Sequence, residues 1–420
     1  MLDFRPPLDS PALIWFVNLM LPLYMKYQLH DTQLKIAPGA MERFQKLKGK
    51  RAMICPNHSN RHDPQIMFAF SREMGEPFNF VAAREVFDWE HGLNGWWLQH
   101  LGCYSVVRGA PDRESFKTTK RILAEGKKKL VLFPEGEISR QNDTLMSLES
   151  GAAQLTFWAV EDLAKSANGD LSKLEPVYIV PMAMKYTFPY DIKPQLRAIL
   201  STLEEHMGIR NQQDQSFYTR LRKIAEVLMV VLEKEYQQRP PENSTLNERI
   251  ALLRQSILDN VARQLNLTVN TSSRQLEQVR VLRNHLDDVV YSDEDHYSEY
   301  QRKLHEEHTS MLKGLYADLD RVVNFIAIYD GYLKESVTQE RFADTLSRLE
   351  REILRTREPS HHGPRVVLVD VGEPINLSQY CGDLKKDKRG TISKVTDELF
   401  AQMTEMLKKL DELRKPIYLD

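Results

Sequence analysis

The residues best placed to do chemistry lie in Cys55-Pro56-Asn57-His58-Ser59-Asn60-Arg61-His62-Asp63-Pro64, directly after the short apolar run Ala52 to Ile54. A strand that ends in a polar loop delivers side chains to a surface, and this loop delivers His58 with Asp63 five positions on. Histidine can take and return a proton near neutral pH, and a carboxylate on its far nitrogen fixes the tautomer and stabilises the imidazolium. Such a pair is half of an acyl-transfer site. Two other readings attach to the same residues. Asp63, Pro64 and Gly75 fit a helix with Asp as N-cap, Pro in the first turn and Gly past the end. His58 and His62 have the four-residue spacing of two metal ligands on one helical face, but Pro56 and Pro64 leave little room for that helix and no Glu stands between the histidines.

Stepping outward, the elements around this loop follow an α/β pattern. Strands are expected at Ala52 to Cys55, Phe78 to Ala82, Cys103 to Val107, Lys129 to Phe133 and Val177 to Met184. Helices are expected at Asp63 to Met74, Arg113 to Glu125 and Gly151 to Ala167. The polar motifs fall at or just beyond the strand ends, where open α/β sheets bind their ligands.

Four segments, taken in order, resemble the glycerolipid acyltransferase family that includes the lysophosphatidate acyltransferases. His58 and Asp63 match its His-x4-Asp motif, and Leu101-Gly102-Cys103-Tyr104-Ser105-Val106-Val107-Arg108-Gly109 is similar to its second block. Phe133-Pro134-Glu135-Gly136 is similar to the start of the third block and Val180-Pro181 to the fourth. The resemblance implies a mixed sheet flanked by helices, like that of glycerol-3-phosphate acyltransferases, with His58 as base and Asp63 orienting it. It implies that Arg108 binds an acceptor phosphate and that Glu135 and Gly136 shape the acceptor pocket. The chain departs from the commoner Glu-Gly-Thr-Arg-Ser in reading Glu135-Gly136-Glu137-Ile138-Ser139-Arg140. Arg140 is therefore displaced by two positions, and Glu137 would repel a phosphate if it faced inward.

The implied activity moves a fatty acyl group from acyl-CoA or acyl carrier protein to a lysophospholipid hydroxyl, such as that of 1-acylglycerol 3-phosphate. The donor arrives activated, so no cofactor or metal is expected. A hydrolase using His58 with Ser59 or Ser139 is a competing reading, weakened because no Gly-x-Ser-x-Gly elbow occurs. A non-catalytic scaffold that binds a partner through its helices is another.

Four regions are expected. Residues 1–30 hold an apolar helix, Pro11 to Met25, too short to span a bilayer at ~20 residues and suited to its interface, with Trp15 and Tyr24 near the ends. Residues 31–190 form the acyltransferase domain. Residues 191–363 form an all-helical insertion with apolar residues at spacings of three and four, among them Leu221, Ile224, Leu228, Leu319, Val322, Ile326, Tyr329 and Leu333. Residues 364–420 supply a closing strand, Val366 to Val371, which resembles the strand and Gly-x-Pro-Ile that end such domains, and a helix from Ile392 to Leu413. The aromatic stretch Asp88 to His100, with Trp89, Trp96 and Trp97, reads as a helix packed on the sheet in preference to one that lines an acyl-chain channel or touches membrane.

A formal net charge of -2 argues against a nucleic-acid partner, and local lysine runs such as Lys127-Lys128-Lys129 read as solvated loops. Three scattered cysteines make no disulfide framework and suit a reducing compartment. The expected partners are the acyl donor, the lysophospholipid and a membrane surface, with a protein partner possible through the helical insertion. The expected location is the cytoplasmic face of a membrane, held peripherally.

Overall fold

A computed structural model describes residues 4–108, 112–166, 175–210, 212–290, 298–326, 337–356 and 358–419. Gly109, Ala167, Tyr329 and Leu333, named above, lie outside the described residues. The centre is a mixed sheet of eight strands: β1 Asp31–Ile36, β2 Arg51–Pro56, β3 Phe78–Ala83, β4 Cys103–Val106, β5 Lys129–Val131, β6 Val177–Thr187, β7 Arg365–Val371 and β8 Ile375–Asn376. They run in the order β1-β7-β6-β2-β5-β3-β4, with β8 also paired to β6. β2 is parallel to both its neighbours, β5 and β6. A parallel strand covered on both faces should be a continuous apolar run, and Ala52 to Cys55 are all fully buried. Helices Asp63–Met74, Arg113–Glu125, Gly151–Ser166 and Lys388–Glu412 cover the sheet.

β7 is antiparallel to β6 and parallel to β1, and so lies inside the sheet. Thr187 and Val366 are register partners. The chain therefore leaves the sheet after β6 and returns beside its point of departure. Between the two come helices Lys193–His206, Phe217–Glu235, Leu246–Gln264, Gln275–Val290, Glu299–Ile326 and Gln339–Leu354, which share a second apolar core built from Leu200, Ile224, Leu253, Leu282, Leu319, Leu346 and their neighbours. The C-terminal tail joins that core through Leu419, whose amide donates to the Val337 carbonyl at 2.8 Å. The helices also lean on the loop after β5: Asp344 Oδ2 accepts from the Asn142 amide at 3.0 Å, and Arg341 Nε donates to Asp143 Oδ2 at 3.1 Å.

Several expectations need correction. β1 was not foreseen; Asp31–Ile36 is a short edge strand that opens with three polar residues, so it carries no apolar run to mark it. Lys129 is no solvated loop residue, because it begins β5, is buried, and pairs with Glu76. The helix Pro11–Tyr24 runs through Pro22 and continues as a π-helical turn, Met25–Leu29. The aromatic stretch does not pack inward. Phe87 is buried, but Trp89 is 57% exposed and Leu93 59%, with Trp96 and Trp97 also open. The chain kinks at Trp89, Glu90 and His91, and Gly95 in the following helix sits so close to the Phe87 carbonyl that a Cβ would collide with it. That tight turn spends the buried face on Phe87 and pushes the indoles outward. No helix among the described residues is long and apolar enough to cross a membrane.

Candidate active site

β2, β5 and β6 are parallel, so the loops that follow them open at one edge of the sheet, where the site forms. The loop after β2 carries His58. Its Nδ1 lies 3.0 Å from Asp63 Oδ2. Asp63 is not the N-cap: His62 holds that position and Asp63 is the first helical residue. Its carboxylate turns back across the loop instead of onto the helix. Oδ2 also accepts from the Asn60 amide at 2.8 Å, and Oδ1 accepts from the Tyr186 hydroxyl at 2.6 Å. A carboxylate with no exposed surface needs donors on both oxygens, and these three groups supply them.

The imidazole is fixed from two more directions. Its ring stacks on Phe133, with centroids 4.2 Å apart and planes 24° from parallel. The backbone of His58 is tied to the loop after β5, since its amide donates to Glu135 Oε1 at 2.6 Å and its carbonyl accepts from the Ser139 amide at 2.7 Å. Ser139 Oγ also donates to that carbonyl, at 3.1 Å. The Ser139 hydroxyl thus serves the backbone of His58 and not its ring, unlike the hydroxyl of a His-Ser hydrolase pair. With Nδ1 held by Asp63, Nε2 is the nitrogen left to exchange a proton with a substrate.

A second layer stands behind this pair. His62 Nδ1 lies 3.0 Å from Asp31 Oδ2, and Arg365 Nε donates to Asp31 Oδ1 at 2.8 Å. The Arg365 guanidinium lies 4.3 Å from the centre of the Tyr186 ring, whose hydroxyl reaches Asp63. His62 therefore belongs to the support of the site, paired with Asp31 and turned from His58. Sequence reasoning missed Tyr186, Asp31 and Arg365. Asp31 sits in a strand that the sequence did not reveal, Tyr186 lies just past the expected end of its strand, Arg365 heads an apolar run, and nothing local links position 31 to 62 or 365.

Glu135 is fully buried and accepts twice, from the amides of His58 and of Met146, the latter at 2.8 Å. Gly136 has φ of +72°, a backbone conformation that L side chains rarely adopt, and that favours glycine there. Arg108 is not open to solvent alone. Its guanidinium donates to the Gly136 carbonyl at 3.0 Å and Glu137 Oε1 at 2.6 Å, and it also pairs with Glu85. These residues line a small polar crevice together with Arg84, Arg280, Arg283, Asn284 and Asp287. Glu137 does face inward, and the arginines beside it, Arg108 first, hold its carboxyl below the usual range in spite of burial. Arg140 does not line the crevice; it has φ of +54°, and its carbonyl accepts from Arg348. Cys55 and Cys103 are buried, and burial pushes both thiols up, away from reactivity.

Burial pushes the Glu135 carboxyl up to about 7, against the opposing pull of its two amide donors. Below its ordinary 4.5 the group is neutral in both folded and unfolded chains. Between about 4.5 and about 7 the unfolded chain ionises while the folded one resists, so this group takes stability away as pH rises through that window. Glu135→Gln cannot ionise. Urea denaturation across pH should show the variant's midpoint gaining on wild type through that window and running parallel above it; parallel curves throughout would contradict this account of Glu135.

Residues 38–185 match the family model described as Acyltransferase. No curated protein matches the chain. The matched stretch begins ahead of β2 and ends within β6, so it contains His58, Asp63, Arg108, Glu135, Gly136 and Arg140 and leaves out β7 and the six-helix region. Residues 38–185 thus form a domain of the acyltransferase family.

Proposed function

We propose that this acyltransferase moves a fatty acyl group from a thioester, on coenzyme A or acyl carrier protein, to the free hydroxyl of a lysophospholipid, 1-acylglycerol 3-phosphate above all. The observation that carries the reading is the His58–Asp63 pair, 3.0 Å apart, beside a crevice that contains Arg108. His58 Nε2 takes the proton of the acceptor hydroxyl as its oxygen attacks the thioester carbonyl carbon. The tetrahedral intermediate then breaks its C–S bond, and His58 returns the proton to the departing sulfur. Positioned acid-base catalysis of this kind contributes a factor of ~10² to 10⁴. Orientation of the two substrates and amide donors at the oxyanion supply the rest.

The long acyl chains of both substrates favour a protein that works against a bilayer. Trp15 is 68% exposed on the helix Pro11–Tyr24, and Phe16, Leu19, Leu23 and Tyr27 are open beside it or in the turn that follows. The start of that helix is bound to the end of the exposed aromatic helix Leu93–His100, through Leu8 N to Gln99 O at 2.9 Å and Ser10 N to His100 O at 2.8 Å. Two helices thus present tryptophans and leucines from neighbouring positions, the composition that membrane interfaces select. We infer peripheral attachment through this face.

Thiol release should be measured from acyl-CoA and from acyl carrier protein, each with lysophosphatidate, glycerol 3-phosphate, a neutral monoacylglycerol or no acceptor. The expected result is release that depends on lysophosphatidate. Equal release without acceptor would make the protein a thioesterase and overturn the reading. In flotation with phospholipid vesicles, wild type should rise with the lipid and the combined variant Trp15→Ser, Leu19→Ser, Leu23→Ser should stay behind. If both behave alike, this face does not attach the protein.

A further inference from the structure

The six-helix region lies outside the family match, yet it reaches the crevice lined by Arg108 and Glu137. Helix Gln275–Val290 brings Arg280, Arg283 and Asn284 there. Arg283 Nη1 donates to Glu137 Oε1 at 2.9 Å, the same oxygen that takes Arg108 Nη1 at 2.6 Å. Two guanidiniums from distant parts of the chain converge on one carboxylate oxygen. Arg280 stands next to them, with Nη1 2.7 Å from Glu149 Oε1, Nη2 donating to the Glu135 carbonyl at 3.3 Å, and a buried Nε that has no partner. Asn284 fastens the helix to the other wall by donating to the Arg108 carbonyl. The cluster is also open enough to be reached, since the Arg108 and Glu85 side chains keep 22% and 25% of their surface exposed.

From this geometry, and resting on the reading of the chain as a transferase to a phosphate-bearing acceptor, we propose that Arg283 and Arg280 complete the acceptor's anion site. The phosphate monoester of the acceptor is gripped by Arg108 from the family domain and by Arg283 and Arg280 from the helical region. Glu137 keeps Arg108 and Arg283 assembled when no acceptor is present, with Glu85 and Asp320 on their other nitrogens and Glu149 on Arg280. Guanidiniums that share one carboxylate oxygen are spaced to share a phosphate oxygen, because each offers the same planar fork. Buried without counter-ions, three guanidiniums would repel one another and pay a desolvation cost, so internal carboxylates are the means by which the site can stand empty, and Glu137 is the one that two of the arginines share. This also accounts for an acid at the third position of the block: it faces the arginines as their resident anion. The site lies close to the reacting histidine. Glu137 follows Glu135 by two residues, a span of at most ~7 Å, and Glu135 is bonded to the His58 amide.

Binding is the readout, so the test does not depend on turnover. Titration calorimetry of the full chain with glycerol 3-phosphate, inorganic phosphate and glycerol would be run on wild type, Arg283→Gln, Arg283→Lys and Glu137→Gln, each checked for native circular dichroism. Wild type should bind glycerol 3-phosphate and not glycerol. Arg283→Gln should weaken that binding roughly tenfold or more, the loss of one or two charge-assisted hydrogen bonds. Arg283→Lys should fall between the two, since it keeps the charge and loses the fork. Glu137→Gln should tighten binding several-fold, because it removes the competing anion, and a merely structural Glu137 would not do that. Binding indifferent to Arg283, or weakened by Glu137→Gln, would overturn the proposal. Equal affinity for glycerol 3-phosphate and inorganic phosphate would also overturn it, since the site would then serve free phosphate. If these binding results appear while no acceptor supports thiol release, the anion site stands and the transferase reading falls.

Discussion

The arrangement depends on keeping one carboxylate, that of Asp63, inside the protein with no surface of its own. Such a group is tolerated only where donors meet both oxygens, and the donors come from three places: the His58 ring, the Asn60 amide and the Tyr186 hydroxyl. The first two are in the same loop. The third is in β6, which pairs with the whole of β2 from Val177 to Met182 and runs on beside β7, and so fixes where Tyr186 meets the loop. The position of His58 is thus set by strand pairing, and the stacked ring of Phe133 after β5 closes the other side.

The outer support explains why the chain makes a long excursion and returns. Arg365 opens β7, and its guanidinium joins Asp31 of β1 to the face of Tyr186. Without β7 between β6 and β1, neither Asp31 nor His62 would have a reason to be where it is. The six-helix region therefore departs and comes back at adjacent register positions, Thr187 and Val366, leaving the sheet's pairing continuous. While outside the sheet it covers the loop after β5 from two sides: helix Gln339–Leu354 binds Asn142 and Asp143, and helix Gln275–Val290 binds Glu135 and Glu137.

How much of this was legible beforehand follows from the range of each interaction. His58 and Asp63 lie five residues apart in one loop, so their meeting is a local matter that residue types and spacing can reveal. The strands of the central sheet were legible too, because parallel strands buried on both faces are unbroken apolar runs. Asp63 was open to misreading as a helix cap because Asp before Pro suits both roles; only the direction of its carboxylate decides. Tyr186 and Arg365 gave no signal, since their partners are more than a hundred residues away. Arg283 sits on a helix whose polar face resembles any solvated face, and what distinguishes it is the carboxylate brought opposite by the sheet domain. The tryptophans misled for the opposite reason: bulk favours burial on average, but a kink at residues 89–91 turned these outward.

The central claim is that His58 Nε2 moves the proton during acyl transfer, and its most direct test is single-turnover acyl transfer by wild type and His58→Ala at matched substrate occupancy. The account predicts that the chemical step falls by ~10² to 10⁴ in the variant while acceptor affinity stays close to that of wild type. A folded His58→Ala protein that transferred the acyl group within a few-fold of the wild-type rate would contradict it.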